Sequence, residues 1–213
     1  MKLFNYFRSG TSHRLRIALN LKGLKYEYVA VNLLQDEQLQ ESFKNLNPQG
    51  LVPALELESE VLIQSPAIIE WLEETYPTPV LLPETTIGRQ RVRALAAIVG
   101  CDIHPINNRR ILQTLRREFS ANDAAINKWC GLWISEGFDS IESILANDIN
   151  RDGFCFGRSP TLADVYLIPQ IESARRFKVD LNRWPNLLEV ERRCLELQAF
   201  RMASPANQPD YKP

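Results

Sequence analysis

Three consecutive segments at the start of the chain decide its fold. Residues 2–7 read Lys-Leu-Phe-Asn-Tyr-Phe, residues 8–14 read Arg-Ser-Gly-Thr-Ser-His-Arg, and residues 15–23 read Leu-Arg-Ile-Ala-Leu-Asn-Leu-Lys-Gly. The first segment alternates apolar and polar residues and is rich in aromatic side chains, which is typical of a strand. The third combines helix-forming residues with a final glycine, which favours a helix that stops there. The polar segment is therefore predicted to begin a helix that follows directly from a strand.

This junction has the properties of an anion-binding site. The first turn of a helix has unpaired backbone N–H groups and the positive end of the helix dipole, and both favour an anion. Arg8 adds a fixed cation and Ser9 adds a hydroxyl, so the junction could hold a thiolate or a carboxylate. A purely structural interpretation fits equally well, because Ser9 or Ser12 could simply be the N-cap of the helix.

Length and charge exclude several classes of protein. The chain has 213 residues, with 25 Lys and Arg against 26 Asp and Glu, and a formal net charge of −1. This balance argues against a nucleic-acid-binding surface and against a polybasic membrane surface. No apolar run approaches the roughly 20 residues of a membrane span, and residues 1–3 lead directly into the first strand. We expect a soluble, cytoplasmic protein without a secretion signal.

Cysteine and histidine are too sparse to suggest a metal site. The four cysteines are far apart and form no Cys-x-x-Cys pair: Cys101, Cys130, Cys155 and Cys194. We expect all four to be buried free thiols. With His13 and His104 as its two histidines, the chain offers no recognisable zinc ligand set, and no metal is predicted.

The pattern of elements predicts two domains. Up to residue 75 it alternates between strands and helices, with further strands over residues 26–31, 54–57 and 61–63 and helices over residues 37–45 and 65–75. Residues 76–83 are rich in proline and lack periodicity, which favours a linker. Beyond it we predict helices alone, over about residues 87–117, 122–146, 161–176 and 185–200. The chain is therefore expected to contain an α/β domain over residues 1–80 and an all-α domain over residues 87–213.

Two further motifs could bind a ligand. Val52-Pro53 follows a turn and opens a strand; a cis bond there would turn the preceding backbone groups towards a peptide-like ligand, although trans is the commoner state. Gln64-Ser65 precedes Pro66 at the start of a helix. Ser65 is a natural N-cap, and this helix start could also receive a carboxylate.

Taken together, motifs along the whole chain resemble the zeta class of glutathione transferases. The resemblance rests on Phe7-Arg8-Ser9-x-x-Ser12-x-Arg14-x-Arg16-Ile17-Ala18-Leu19, Leu46-Asn47-Pro48, Val52-Pro53, Gln64-Ser65-x-Ala67-Ile68-Ile69-Glu70, the run from Ala174 to Leu181, and Gln208-Pro209-Asp210. It implies a thioredoxin-like glutathione-binding domain over residues 1–80, followed by an all-α substrate-binding domain. It also implies glutathione as the cofactor and a homodimer.

The resemblance also implies an activity. Members of this class isomerise maleylacetoacetate, and a bacterial branch isomerises maleylpyruvate, in the catabolism of aromatic compounds. The expected chemistry is addition of glutathione's thiolate to the maleyl double bond, rotation, and departure of the same thiolate. Two alternatives stay open: a general transferase that conjugates glutathione to small molecules or dehalogenates small α-haloacids, and a non-catalytic interaction module. The class usually has Ser-Cys where this chain has Gly10-Thr11, so the sulfur must come from glutathione.

Residue roles follow from matching these motifs to the class. The residues expected to act on the substrate are Arg8, Ser9, Thr11 and Arg176. Those expected to bind glutathione are Ser9, Gly10, Thr11, Ser12, Gln38, Val52, Pro53, Gln64, Ser65, His104, Asn108, Arg109 and Arg110. The hydroxyl of Ser9 would favour the thiolate by donating a hydrogen bond. Arg176, rather than Arg175, is expected to clamp a carboxylate of the dicarboxylate substrate. His104 and Asn108 are predicted to share one helical face, with Pro105 kinking the helix between them.

Overall fold

The computed structural model describes residues 1–212 and divides the chain into two units. The first unit comprises Met1–Val80 together with the C-terminal segment that begins at Leu195, and the second comprises Leu81–Cys194. The sequence instead placed residues 87–213 in the helical domain. The difference arises because the C-terminal segment bonds to the first helix: Arg16 Nε donates to the carbonyl oxygen of Ala203 at 3.0 Å.

The regular elements alternate early in the chain and are helical later. The strands are Lys2–Asn5 (β1), Glu27–Ala30 (β2), Ala54–Glu56 (β3) and Val61–Ile63 (β4). The α-helices are Gly10–Leu21 (α1), Glu41–Lys44 (α2), Ser65–Thr75 (α3), Thr86–Ala97 (α4), Arg109–Phe119 (α5), Asp123–Asn147 (α6), Leu162–Arg176 (α7), Pro185–Leu195 (α8) and Gln198–Ala203 (α9). This order confirms the predicted α/β first part and helical second part.

The first unit is built on a mixed four-stranded sheet in the order β2-β1-β3-β4. β1 pairs in parallel with β2, with α1 as the crossover between them, and antiparallel with β3. β3 and β4 form the predicted hairpin. Helices α1 and α3 pack together, and their buried residues include Leu15, Ile17, Ile68 and Leu72. The sheet therefore fixes the end of β1, from which the chain turns into α1.

The second unit departs from the prediction between residues 87 and 117. In place of one helix, the chain forms α4, a π-helix over Ile98–Ile103, a 3-10 turn over Pro105–Asn107, and α5. A Cβ added at Gly137 of α6 would lie 2.2 Å from Ile103 Cδ1, so the missing side chain leaves room for Ile103. The wide π turn and this close packing depend on tertiary contacts, which helical periodicity does not register.

Two smaller predictions also need correction. The helix expected over residues 185–200 is divided into α8 and α9. All four cysteines are free as expected, but Cys101 is exposed because it lies on the π-helix away from the packed face, whereas the other three are buried.

Among residues 1–212, no helix is both long and apolar enough to cross a bilayer. In the same range, no group of three or more His, Cys, Asp or Glu side chains is placed to hold a metal ion.

Candidate active site

Ser9 is the N-cap of α1, as one of the two interpretations predicted. Its backbone is extended, with φ −69° and ψ 122°, and its Oγ accepts a hydrogen bond from the backbone N–H of Ser12 at 3.2 Å. This bond satisfies one of the free donors of the first turn. Structural capping and a binding role are compatible here, because the hydroxyl proton of Ser9 is not used in the cap.

A chain of hydroxyl groups fixes the direction of that proton. Thr11 Oγ1 donates to the carbonyl oxygen of Val52 at 2.9 Å, and the oxygens of Ser9 and Thr11 are also 2.9 Å apart. A carbonyl oxygen can only accept, so the Thr11 proton is committed to Val52. In the Ser9–Thr11 contact, the Ser9 hydroxyl is therefore the donor. Rotation about the Cβ–Oγ bond of Ser9 would redirect this hydrogen bond to a ligand anion.

Ser12 and Arg8 complete the turn in different ways. Ser12 is fully buried and its Oγ accepts from the backbone N–H of Tyr6 at 3.4 Å, so Ser12 braces the turn from inside. Arg8 is exposed, and its guanidinium carbon lies 5.1 Å from the centroid of the Phe7 ring. This cation–π contact holds a positive charge one residue before Ser9.

The Val52–Pro53 bond is cis, against the commoner trans state. Its position just before β3 places the carbonyl of Val52 against Thr11, 41 residues earlier in the chain. The hydrogen bonds of the first unit thus bring together Ser9, Thr11, Ser12 and Val52, four of the residues that the sequence predicted as a site.

The start of α3 carries a second set of polar groups. Gln64 precedes the helix with a positive φ of 66°, and its amide nitrogen donates to the side-chain oxygen of Gln49. Ser65 is 2% exposed, and its Oγ has no hydrogen-bond partner among residues 1–212. Because a buried hydroxyl without a partner costs free energy, Ser65 is suited to bind a polar ligand group.

Gln38 is buried on a short 3-10 turn, Glu37–Leu39. Its Nε2 donates to Asp36 Oδ1 at 3.3 Å, whereas its Oε1 has no hydrogen-bond partner among the described residues. Gly50 packs closely against the backbone of this turn. Its φ is +62°, and a Cβ there would lie 2.9 Å from the backbone oxygen of Gln38. A glycine is therefore required for the close approach.

In the second unit, the predicted face shared by His104 and Asn108 does not exist. His104 ends the π-helix, where its N–H donates to the carbonyl of Val99 at 2.9 Å. Asn108 has an extended backbone with ψ 162° and caps α5, accepting from the N–H of Ile111 at 3.3 Å. The break follows Pro105, as its ring and missing N–H favour. Arg109 and Arg110 lie in the first turn of α5, half-buried and exposed respectively.

At the end of α7, the two arginines have different surroundings. Arg175 forms a two-pronged ion pair with Glu191 of α8, and this contact raises the pKa of Arg175. Arg176 is exposed, donates to Ser173 Oγ at 3.1 Å and stacks 4.9 Å from the Phe177 ring centroid. A carboxylate of the protein itself thus binds Arg175, and the assignment of a ligand carboxylate to Arg176 stays a prediction.

Comparison with known proteins identifies the family of the chain. Residues 8–75 match the family model described as the N-terminal domain of glutathione S-transferases. A relative from Ralstonia sp, named maleylpyruvate isomerase, is 67% identical over 210 residues, 99% of each chain. A solved holo structure of a maleyl pyruvate isomerase, described as a bacterial zeta-class glutathione S-transferase, is 66% identical over 100% of both chains, with a TM-score of 0.99.

This chain belongs to the zeta class of glutathione transferases. A more distant member, the maleylacetoacetate isomerase from Methylobacterium extorquens AM1, has been solved with bound malonate and glutathione. It is 34% identical over 100% of both chains, with a TM-score of 0.96. The zeta-class fold is thus shared along the full length of the chain.

Two residues near the Ser9 turn of this zeta-class chain were not assigned a site role from the sequence. Arg16 is completely buried in the first unit and bonds to the backbone around Phe7, and Asp210 accepts a hydrogen bond from the N–H of Phe7. Both belong to motifs that carried the family resemblance. Their contacts span up to 203 residues of sequence, so local pattern alone could not have paired them with Ser9.

Proposed function

We propose that this chain is a glutathione-dependent isomerase that converts a maleyl keto acid into its fumaryl isomer, with maleylpyruvate preferred over maleylacetoacetate. The observation that carries the reaction class is the Ser9 hydroxyl, fixed at the N-terminus of α1 with its proton directed by Thr11. The preference for maleylpyruvate is supported by the relative of that name, which is 67% identical to this chain.

The first unit offers groups that fit glutathione, a tripeptide with two carboxylates, an ammonium and a thiol. Ser65 Oγ and Gln38 Oε1 are buried without partners among the described residues, which suits a ligand that supplies polar groups. We assign Gln64 and Ser65 to the γ-glutamyl end, Gln38 to the glycine end, and the backbone of Val52, before Pro53, to the peptide portion. Gly10, which lacks a side chain, would let a ligand approach the first turn of α1.

Bound there, glutathione supplies a thiolate that can add to a conjugated double bond and leave again. Ser9 favours the thiolate by donating a hydrogen bond from its hydroxyl group, and the N–H groups of α1 add the positive end of a dipole. Without a ligand the Ser9 hydroxyl donates to Thr11 Oγ1, and the bound sulfur would replace Thr11 as the acceptor of that hydrogen bond. Arg8 places a positive charge beside the turn, where negative charge develops on the substrate during the reaction.

We assign the substrate's distal carboxylate to Arg176 and its keto-acid end to Arg109 and Arg110. A guanidinium can bind a carboxylate through two parallel hydrogen bonds, which fixes orientation as well as charge. We also propose that the enzyme acts in the cytoplasm as a homodimer. The near balance of charge supports a small-molecule substrate rather than a nucleic acid or a membrane as the partner.

The decisive experiment supplies maleylpyruvate and maleylacetoacetate in parallel to the purified protein, with and without glutathione. We expect absorbance changes for both substrates only with glutathione, a larger kcat/KM for maleylpyruvate, and no net consumption of glutathione thiol. The Ser9→Ala variant should lose at least about tenfold in kcat, because the thiolate loses its hydrogen-bond donor. A Glu58→Ala variant, altered at an exposed position, is the matched control.

Other results of this experiment would indicate a different function or a different substrate preference. Stoichiometric loss of glutathione thiol with an α-haloacid, and no isomerisation, would identify a conjugating or dehalogenating transferase. No turnover of any substrate, with glutathione still bound, would identify a non-catalytic module. A higher kcat/KM for maleylacetoacetate would contradict the proposed substrate preference alone.

A further inference from the structure

The backbone just before Ser9 is held by the C-terminal tail. Phe7 lies beyond the end of β1, so the sheet does not fix its N–H. That N–H instead donates to Asp210 Oδ2 at 3.1 Å. The other oxygen, Asp210 Oδ1, accepts the phenol proton of Tyr28. The carboxylate of Asp210 thus connects the C-terminal segment to Phe7, two positions before Ser9, and to Tyr28 in β2.

The carbonyl side of Phe7 is fixed by a buried cation. Arg16 Nη2 donates to the carbonyl oxygen of Phe7 at 3.0 Å, and Nη1 donates to Asn5 Oδ1 at 2.9 Å. Its Nε donates to Ala203 in α9 at 3.0 Å. Burial lowers the pKa of Arg16 to about 10, which still leaves the guanidinium charged at neutral pH. Both backbone groups of Phe7 are therefore held by charged side chains.

The ring of Phe7 links the same tail to Arg8. Tyr211 packs edge-on against it, with ring centroids 5.6 Å apart, and the guanidinium of Arg8 lies 5.1 Å from its centroid. Residues 6–9 form a turn that contains Phe7, since the N–H of Ser9 donates to the carbonyl of Tyr6 at 3.0 Å. A movement of Phe7 would consequently move Arg8 and Ser9.

We propose that Asp210 is a positioning residue of the active site: by holding the N–H of Phe7, it sets the place of Arg8 and of Ser9, whose hydroxyl proton Thr11 then directs. Asp210 itself touches no ligand in this scheme. The proposal rests on the proposed role of Ser9 towards the glutathione thiol. It gives Asp210 an indirect effect on the reaction through Phe7, although Asp210 is far from Ser9 in sequence.

The test compares Asp210→Ala and Asp210→Asn with the wild type. Alanine removes both acceptors, whereas asparagine keeps the shape and one oxygen. We expect the pKa of the bound glutathione thiol, read from thiolate absorbance in the binary complex, to rise by about one pH unit in the alanine variant. The kcat should fall roughly tenfold with a smaller change in the KM for glutathione, because a small misplacement near reacting groups lowers the rate. The asparagine variant should lie between.

Two readouts separate positioning from general destabilisation. Amide hydrogen exchange should accelerate at residues 7–9 in the alanine variant but remain as in the wild type within α3. The Tyr28→Phe variant removes the phenol donor yet leaves the Asp210–Phe7 bond, so its thiol pKa should stay near that of the wild type. Glu58→Ala again controls for loss of an acidic side chain.

The outcomes distinguish this inference from the proposed function. An unchanged thiol pKa and kcat in both Asp210 variants, with Ser9→Ala impaired, would overturn the inference alone. An unimpaired Ser9→Ala variant would overturn the role of Ser9, whatever Asp210 does. If Asp210→Ala fails to fold, Asp210→Asn decides: a lower unfolding temperature with an unchanged thiol pKa would show that Asp210 is only structural.

Discussion

His13 illustrates how burial sets chemistry at the scale of a single residue. It lies on α1 four positions after Ser9, is 4% exposed, and its Nε2 has no hydrogen-bond partner among residues 1–212. Burial, reinforced by the charge of Arg16, lowers the pKa of His13 well below its usual value. The imidazole is therefore neutral in the folded state at physiological pH, and the positive charges near the turn belong to arginines.

A pH dependence of stability follows from this neutral imidazole. The unfolded chain protonates His13 below about pH 6.5, whereas the folded chain does not, so the free energy of unfolding decreases as pH falls below that value. The slope due to His13 should approach about 1.4 kcal/mol per pH unit. Urea denaturation between about pH 5 and about pH 7.5 should show this slope in the wild type and a flatter one in His13→Gln. Equal slopes in the two proteins would contradict the buried, neutral state.

At the scale of elements, turns and helix ends set the candidate binding groups. The sequence predicts the turn over residues 47–50, and the structure has it, with the N–H of Gly50 bonded to the carbonyl of Asn47 at 2.9 Å. What the sequence does not reveal is that this turn packs against the backbone of Gln38. The glycine therefore serves two purposes, a positive φ and a close approach.

A comparison of Gly50 with Gly23 separates the effect of a positive φ from that of the close approach to Gln38. Gly50→Ala should lower the free energy of unfolding by about 1–3 kcal/mol and weaken glutathione binding, because its methyl group would displace Gln38. Gly23 has a similar φ of +66° but nothing within 4 Å of its would-be Cβ. Gly23→Ala should thus show only the smaller conformational cost, about 1 kcal/mol, with normal glutathione affinity. Chemical denaturation and titration calorimetry measure both; equal affinities in the two variants would argue against a role for Gln38.

At the scale of the whole molecule, the first unit is discontinuous in sequence. Helix α9 packs against α1, Asn20 Nδ2 donates to the carbonyl of Ala199 at 3.0 Å, and Arg16 binds Ala203. A domain confined to residues 1–80 would leave the Nε of Arg16 without this acceptor and uncover apolar surface of α1. The tail is consequently part of the folding unit.

A fragment experiment tests this division. Residues 1–80 alone should be poorly folded, with rapid amide exchange throughout, because a buried arginine that loses acceptors is costly and apolar contacts are lost. Residues 1–80 joined through a flexible Gly/Ser linker to residues 195–213 should show cooperative thermal unfolding. A stable, cooperative fold of residues 1–80 alone would instead support the boundary expected from the sequence.

Local chemistry by itself determined much of this protein: the strand-to-helix start at residues 2–23, the hairpin and the turn at Asn47. It left Ser9 and Ser12 both as candidates for the N-cap of α1, and the structure selects Ser9. These features depend on a few neighbouring residues, and the order of motifs was enough to identify the zeta class. Tertiary structure alone decided three things: the π-helix over Ile98–Ile103, the cis state at Val52–Pro53, and the place of Asp210 beside Phe7. Each depends on contacts between residues distant in sequence, and such contacts leave no local periodic signal.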